Sequence, residues 1–416
     1  MAPAASTLLK QGLPLLTSTS QNVHAPVAKW LFGTAGMVVG MIHVGGVTRL
    51  TQSGLSMTTW SPLGSLPPMT SEEWETEFQR YQQYPEWQQR KEMTLRDFQF
   101  IYAWEYGHRM LGRCVGLAFA LPWMYFTVRG RIPQGFQPRL MGLLTLGGTQ
   151  GLVGWWMVKS GLGEDRRGDK YEIRVKPLRL ATHLSMAFVT YAGLLWTGWD
   201  ILSLQQTAAM KEQVKKVGTD ALHHAARMRV GGIALTSLAA VTIWSGAMVA
   251  GNDAGRAFNT FPLMDGQWIP AAVRDPAMPL LTRLSSDTAS VQFNHRWLGM
   301  TTAAAGLGLV ALGRGHMVTP QARRGLYAVG IATAGQVGLG ITTLLTYVPI
   351  SLAALHQLGS VVVFTSGLYL VHSLRYARPA MLRMVKGSNV PLSSSATATA
   401  TRVPKAGGAT GMAFKR

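Results

Sequence analysis

Charged side chains are scarce in this sequence. Only 14% of its 416 residues are Asp, Glu, Lys or Arg, against about 25% in ordinary soluble proteins, which argues against a soluble enzyme. The single cysteine, Cys114, excludes an intrachain disulfide, a four-cysteine zinc site and an iron–sulfur cluster held by cysteines alone. A redox metal bound by this chain must therefore use other ligands.

Apolar residues, in contrast, make up 47% of the chain. They fall into runs of about twenty residues, long enough to cross ~30 Å of hydrocarbon as helices. The predicted spans are 28–49, 98–127, 139–158, 179–204, 226–250, 290–313, 323–346 and 352–374. The sequence thus predicts an all-α integral membrane protein with eight transmembrane helices in a lipid bilayer.

The formal charge of +20 lies almost entirely on one side of these spans. The termini and the loops on their side carry 21 Lys or Arg and two acids, whereas the loops on the other side carry 15 of each sign. This distribution is the positive-inside pattern and places both termini on the cytoplasm-like or matrix side. The excess charge therefore gives no reason to expect nucleic acid as a partner.

Two terminal segments and one linker lie outside the predicted bundles. Residues 1–27 contain no acid and many Ser and Thr, a composition typical of organelle transit segments and equally of short disordered tails. An inner-side linker is predicted at 207–225, and a low-complexity basic tail at 376–416.

The chain contains an internal repeat. In the first half His108-Arg109 is followed by Gln150 and His183, and in the second half the same residue types recur as His295-Arg296, Gln336 and His356. Because the copies are separated by an even number of spans, they share one orientation in the membrane. The repeat predicts two pseudo-symmetric four-helix bundles, at 28–206 and 226–375.

Four of the ten histidines occupy matching positions in the two halves: His108, His183, His295 and His356. All four lie in the outer part of even-numbered spans, and a histidine within a membrane is costly unless it has an interior partner. For each histidine taken alone, the alternative is a structural role in which its side chain forms a hydrogen bond across a helix pair. Two imidazoles per bundle suit bis-histidine ligation of heme iron, whereas zinc would require a third ligand.

Heme propionates require cations near the aqueous boundary. The candidates are Arg49, Arg109, Arg113 and Arg296, with lipid-phosphate contact as the alternative. Glu105 precedes His108 by three residues, whereas Gln292 occupies the matching position before His295. Because only the first half has an acid beside its predicted heme, we expect the first half to be catalytic and the second to carry electrons. The alternative role for Glu105 is an ion pair with Arg109.

Several motifs resemble the heme A synthase family in its mitochondrial form. They include GGVTRLTQSGLSM (45–57), EYGHRMLGR (105–113), AGNDAGRAFNTFP (250–262) and FNHRWLGM (293–300). The resemblance implies an eight-helix protein of the mitochondrial inner membrane, with both termini in the matrix. It also implies oxidation of the C8 methyl of heme O to the formyl of heme A, through hydroxylated intermediates, for cytochrome c oxidase.

The resemblance also implies roles for individual residues. His108 and His183 would bind the iron of the substrate heme O, His295 and His356 would hold a permanent heme b, and Glu105 would be catalytic. A ferredoxin-type electron donor is the implied partner. Heme O synthase, other oxidase assembly factors and a homo-oligomeric second copy are further candidate partners. Composition and spacing alone leave two rivals open, a di-heme electron-transfer protein of the cytochrome b type and a heme carrier.

Overall fold

A computed structural model describes residues 23–163, 173–206, 219–314 and 319–378 of the chain. Most of the predicted terminal tails therefore lies outside the described residues, as does most of the predicted linker at 207–225. The domain boundaries proposed from the sequence stay predictions.

Eight long α-helices dominate the described residues, and each coincides with a predicted span. They are α1 Ala25–Leu50, α2 Leu95–Val128, α3 Gln137–Lys159, α4 Pro177–Ser203, α5 Thr219–Gly251, α6 Thr288–Gly313, α7 Pro320–Leu345 and α8 Ile350–Ser373. In these ranges the only β pairing is one isolated bridge, between Met264 and Gln267. The all-α fold class is confirmed, and six helices, all but α3 and α6, are long and apolar enough to cross a membrane.

The helices pack in an order that follows the repeat. Helix α1 contacts α2 and α4, and α3 contacts α4; in the second half α5 contacts α6 and α8, and α7 contacts both α6 and α8. Helices α4 and α8 also contact the other half, α4 through α5 and α8 through α1. The two halves of the chain therefore share a packed interface rather than only a linker.

Polar bonds reinforce that interface. The Gln357 side-chain amide of α8 donates to the carbonyl oxygen of Ile42 in α1 at 3.1 Å. Near the C-terminal end of α8, the imidazole of His372 lies 3.1 Å from a carboxylate oxygen of Asp200 in α4. Because these groups lie where water is scarce, each hydrogen bond fixes the relative register of the two helices it joins.

The segment between α1 and α2, which the charge pattern predicts on the outer side and which we call the outer segment, is more ordered than a loop. A short helix, Ser71–Tyr81, begins with a reciprocal capping box between Thr70 and Glu73. Its Phe78 and Tyr81 pack with Phe98 at the start of α2 in a buried aromatic cluster. This short helix therefore covers the N-terminal end of α2, about three turns before the first candidate histidine.

Candidate functional site

Each of the four repeated histidines packs against a glycine of a neighbouring helix. A Cβ atom built on that glycine would lie only 2.8 to 3.0 Å from the imidazole Cε1. The pairs are Gly45 with His108, Gly154 with His183, Gly246 with His295, and Gly340 with His356. The repeat in the sequence is thus a repeat in the structure, because the same close approach of ring to backbone occurs four times.

The two histidines of the second half face each other. The ring centroids of His295 and His356 are 6.4 Å apart and their planes are nearly perpendicular, at 89°. Two imidazoles that share one metal ion place their centroids about 6 Å apart, given metal–nitrogen bonds of ~2 Å and ~1 Å from each nitrogen to its ring centre. The observed separation therefore fits a single iron between the rings.

The corresponding rings of the first half also approach each other. His108 is close enough to His183 for the two imidazoles to interact electrostatically. Both halves therefore bring together the histidine pair that the sequence predicts. In the described part of the chain, no three His, Cys, Asp or Glu side chains converge on one point.

The hydrogen bonds of His295 fix which of its nitrogens is available to a metal. The Ser245 hydroxyl donates to the carbonyl oxygen of Thr242 at 2.7 Å, so its oxygen is left to accept from Nδ1 of His295 at 2.8 Å. Nε2 then carries the lone pair, as an iron ligand requires.

The remaining three histidines lack this support. The buried Nδ1 atoms of His108, His183 and His356 have no hydrogen-bond partner among the described residues. No hydrogen bond within the described residues therefore assigns the tautomer of these three rings, so none prevents their Nε2 from carrying the lone pair that an iron ligand requires. These four imidazoles would be the residues that hold the iron of two hemes.

A glutamine from the preceding helix anchors the fourth and eighth helices beside their histidines. The Gln150 side chain donates to the carbonyl oxygen of His183 at 2.9 Å, and Gln336 donates to that of His356, also at 2.9 Å. These bonds explain why glutamine recurs in the two halves. In each half it fixes the position of one histidine along the helix axis relative to the neighbouring helix.

Glu105 is buried and held from three directions. One carboxylate oxygen accepts from the Ser56 hydroxyl at 2.6 Å and from the Met57 amide at 2.8 Å, while the other lies 2.5 Å from the Arg109 guanidinium. The i,i+4 ion pair weighed above is therefore present. It does not exclude a catalytic role, because it fixes the carboxylate within one turn of His108.

In the second half, the counterpart of Glu105 has a purely structural contact. The Gln292 side-chain amide donates to the carbonyl oxygen of Phe258 at 2.9 Å. An ionisable acid at this position therefore occurs only in the first half.

Three of the predicted propionate arginines mainly bind carbonyl groups of loops. Arg109 donates to Thr59 at 2.7 Å, and Arg113 donates to Ser61 at 2.6 Å. Arg296, the counterpart of Arg109, donates to Thr260 at 2.7 Å. These arginines thus anchor the loop that follows the first helix of each half, and their contact with propionates stays a prediction.

Arg49 differs from the other three arginines because it joins the two halves. Its Nη2 lies 3.2 Å from Asp253 and 3.3 Å from the carbonyl oxygen of Gly251. Its Nε is buried with no hydrogen-bond partner among the described residues.

Sequence reasoning missed the four glycines that contact the histidines. The signal was present in part, since Gly154 and Gly340 each follow a repeated glutamine, Gln150 and Gln336, by four residues. It also missed Ser56 and the backbone amide of Met57, which hold Glu105, because a loop path cannot be derived from residue spacing.

Comparison with known proteins identifies similar sequences over most of the chain. The family model described as "Cytochrome oxidase assembly protein" matches residues 28–368. The chain is 43% identical to heme A synthase COX15 of Arabidopsis thaliana over 381 residues, covering 90% of this chain and 80% of that protein. It is 41% identical to the human protein of the same name over 370 residues, covering 88% and 87%.

A third relative carries an additional domain. The heme A synthase–mitochondrial ferredoxin fusion protein of Schizosaccharomyces pombe is 39% identical over 388 residues, covering 86% of this chain and 62% of the fusion.

Proposed function

The chain belongs to the family of heme A synthases, and from that premise we propose that it oxidises the C8 methyl of heme O to the formyl group of heme A. It is a membrane oxidoreductase that serves the assembly of cytochrome c oxidase. The single observation that carries the proposal is the fourfold packing of a histidine against a glycine, with one pair of rings at the spacing of two ligands to one iron.

The eight helices are proposed to cross the membrane as two bundles. Helices α1–α4 would form the first bundle and α5–α8 the second, with α3 and α6 also crossing. The contacts within each half and the matching histidine–glycine pairs support this arrangement. Each bundle would hold one heme in its outer part, and both termini would lie in the matrix.

The first bundle is proposed as the substrate site because its helix α3 is less buried against the rest of the molecule than the counterpart α7 is. Helix α3 has two buried residues, Leu140 and Leu143, both near its inner end. Its counterpart α7 has six, and one of them, Thr343, lies close to the outer end. A substrate that must enter and leave needs such an open side, whereas a permanent cofactor is retained by an enclosed one.

The residues of the two bundles would then have separate roles. His108 and His183 would hold the iron of heme O and so fix which edge of the porphyrin faces Glu105. His295 and His356 would bind heme b, which when bound supplies a one-electron carrier. The ordered outer segment over α2 would limit the access of water to the reacting methyl group.

Glu105 is proposed as the base of the reaction. Its hydrogen bonds to Ser56 and Met57 and its ion pair with Arg109 hold the carboxylate in one position. A carboxylate fixed in this way would accept a proton released at the C8 methyl group of the substrate without reorganising its surroundings.

The relatives support proposals for the compartment and for the electron donor. The eukaryotic relatives and the apolar helices support a multi-pass mitochondrial membrane protein, and we propose the inner membrane. The fused ferredoxin of the Schizosaccharomyces pombe relative supports a ferredoxin-type donor. Heme O synthase, other assembly factors and a second copy of the chain stay predicted partners.

Pigment extraction from purified Glu105→Gln protein tests the proposal. The glutamine retains an acceptor for Ser56 and Met57, so both heme signals should persist while heme O accumulates and heme A is absent. Glu92→Gln, an exposed acid of the same outer segment, is the matched control and should yield heme A. Normal heme A from the Glu105 variant would remove its role, and heme B alone in both sites of the unmodified protein would indicate an electron carrier.

A further inference from the structure

One buried acid of the outer segment has no role in the proposed reaction. Glu86 lies in a short 3-10 helix, Pro85–Gln89, and is only 4% exposed. Its carboxylate accepts a hydrogen bond from the Tyr81 hydroxyl at 3.0 Å and forms an ion pair with Arg90 at 3.3 Å. Because removing a carboxylate from water costs more than one ion pair usually returns, its burial calls for a further reason.

Glu86 lies close to the proposed base, Glu105. The two carboxyl groups interact electrostatically, and both are tied to the turn that follows α1. On this turn the Ser56 hydroxyl donates to Glu105 at 2.6 Å. The side-chain oxygen of Gln52, on the same turn, accepts from Arg90, the ion-pair partner of Glu86, at 2.7 Å. Both acids are therefore held against one short polar turn.

Glu86 can gain and lose a proton near neutral pH. Burial raises its pKa from 4.5 to about 7, against the opposing effect of Arg90, which lowers it. The other ionisable groups of the described residues that face Glu86 are Tyr81, Arg49, Glu105 and Arg174. A carboxyl group with this pKa is suited to pass a proton on, whereas an acid that served only as an ion-pair partner would stay ionised.

The proposed base needs a group of this kind. Glu105 is 2% exposed and so has little contact with water. Its three partners, the Ser56 hydroxyl, the Met57 amide and the Arg109 guanidinium, are all hydrogen-bond donors, and none of them takes up a proton at neutral pH. Oxidation of a methyl group to a formyl group takes more than one step, so Glu105 must lose each proton that it accepts before it can act again.

We propose that Glu86 is the proton acceptor for Glu105 and carries protons from the reaction site to the surface of the outer segment. The O–H bond of the protonated Glu105 breaks and an O–H bond forms on the Glu86 carboxylate, so Glu105 is ionised again and no electron moves. Glu86 then releases the proton to water, since Gln88 and Gln89 of the same 3-10 helix are exposed. The inference rests on the proposed function and adds a residue that acts only through Glu105.

The rate of heme A formation by the purified protein, loaded with heme O and heme b, tests the step. Glu86→Gln keeps an acceptor for Tyr81 but has no site for the proton, so the rate should fall about a hundredfold. Glu86→Asp keeps the carboxyl group and should retain most of the rate. Glu77→Gln is the matched control, because it also breaks an ion pair of the outer segment, with Arg80, and it should leave the rate unchanged. Both heme signals should persist in all three variants.

Chemical rescue separates proton transfer from a packing role. In Glu86→Ala, sterically hindered methylpyridines should restore the rate in the order of their basicity, because a neutral base accepts the proton but cannot form an ion pair with Arg90. Their blocked nitrogen also keeps them from replacing a histidine on iron. A Glu86→Ala protein that retains both hemes but is not rescued would overturn the proposal.

Two further outcomes complete the test. An equal loss of rate in Glu86→Gln and Glu86→Asp would indicate that Glu86 serves packing only, and it would also overturn the proposal. If Glu105→Gln makes no heme A while Glu86→Gln makes it at the normal rate, the proton transfer fails and the proposed function stands. If Glu105→Gln itself makes heme A normally, the role of Glu105 as the base fails first.

Discussion

One added methyl group at Gly340 tests the imidazole geometry directly. In Gly340→Ala the new Cβ would lie 2.8 Å from Cε1 of His356, whereas ordinary contacts begin at 3.4 Å. The ring or the helix must therefore move by about 0.6 Å, the difference between those two distances. The ring can rotate away about its side-chain torsions, but that rotation moves Nε2 off a metal–nitrogen bond of only ~2 Å.

The expected cost is that of overpacking a tight contact, about 1–3 kcal/mol. Because each 1.4 kcal/mol is about tenfold in affinity, heme should bind between about fivefold and about a hundredfold more weakly in the second half only. Heme retention per protein and the rate of heme transfer to an acceptor protein are the measurements.

Gly338→Ala is the matched control in the same helix, since a Cβ at Gly338 meets nothing within 4 Å. Alanine is also the better helix former by about 1 kcal/mol, so neither variant should lose α7 itself. The reasoning is refuted if Gly340→Ala retains heme as tightly as Gly338→Ala does.

Two further predictions concern groups near the hemes. In Ser245→Ala the Nδ1 of His295 loses its hydrogen-bond acceptor, so the imidazole becomes a weaker electron donor to iron. The midpoint potential of the heme bound by His295 should therefore rise, while that of the other heme stays unchanged. An equal shift of both potentials would contradict the assignment. Burial raises the pKa of Glu86 from 4.5 to about 7. The stabilisation by the protonated Glu86 is therefore complete below pH 4.5 and is lost as the pH rises through about 7. The free energy of unfolding should fall by about 3 kcal/mol over this range. Glu86→Gln should therefore flatten the dependence of thermal unfolding on pH between 5 and 8, and an unaltered slope would exclude Glu86 as its source.

The sequence predicted the helices well where apolar composition marked them. Helix α5 shows the limit, because it begins at Thr219, seven residues before the predicted span at 226–250. Its first two turns carry Asp220, His223 and His224. They form helix outside the apolar window, so hydropathy does not detect them.

The outer segment shows a different limit. It was expected only as a polar loop, yet Thr70 with Glu73 and Thr94 with Asp97 have the spacing of capping boxes, which the structure forms at both helix starts. The paired histidines were predictable because a repeat preserves position. The loop carbonyl groups that bind the arginines were not, because their location depends on a backbone path that no periodicity specifies.

The bond between Gln357 and Ile42 has a consequence for how the two heme sites communicate. Gln357 directly follows His356 in α8, and its side-chain oxygen lies against Gly46, the neighbour of the glycine that contacts His108. A rotation of α8 that released one iron would therefore displace the helix against which a ligand of the other iron packs. Occupancy of one site should influence the rigidity of the other, and each half expressed as a separate polypeptide would lack part of the wall around its own porphyrin.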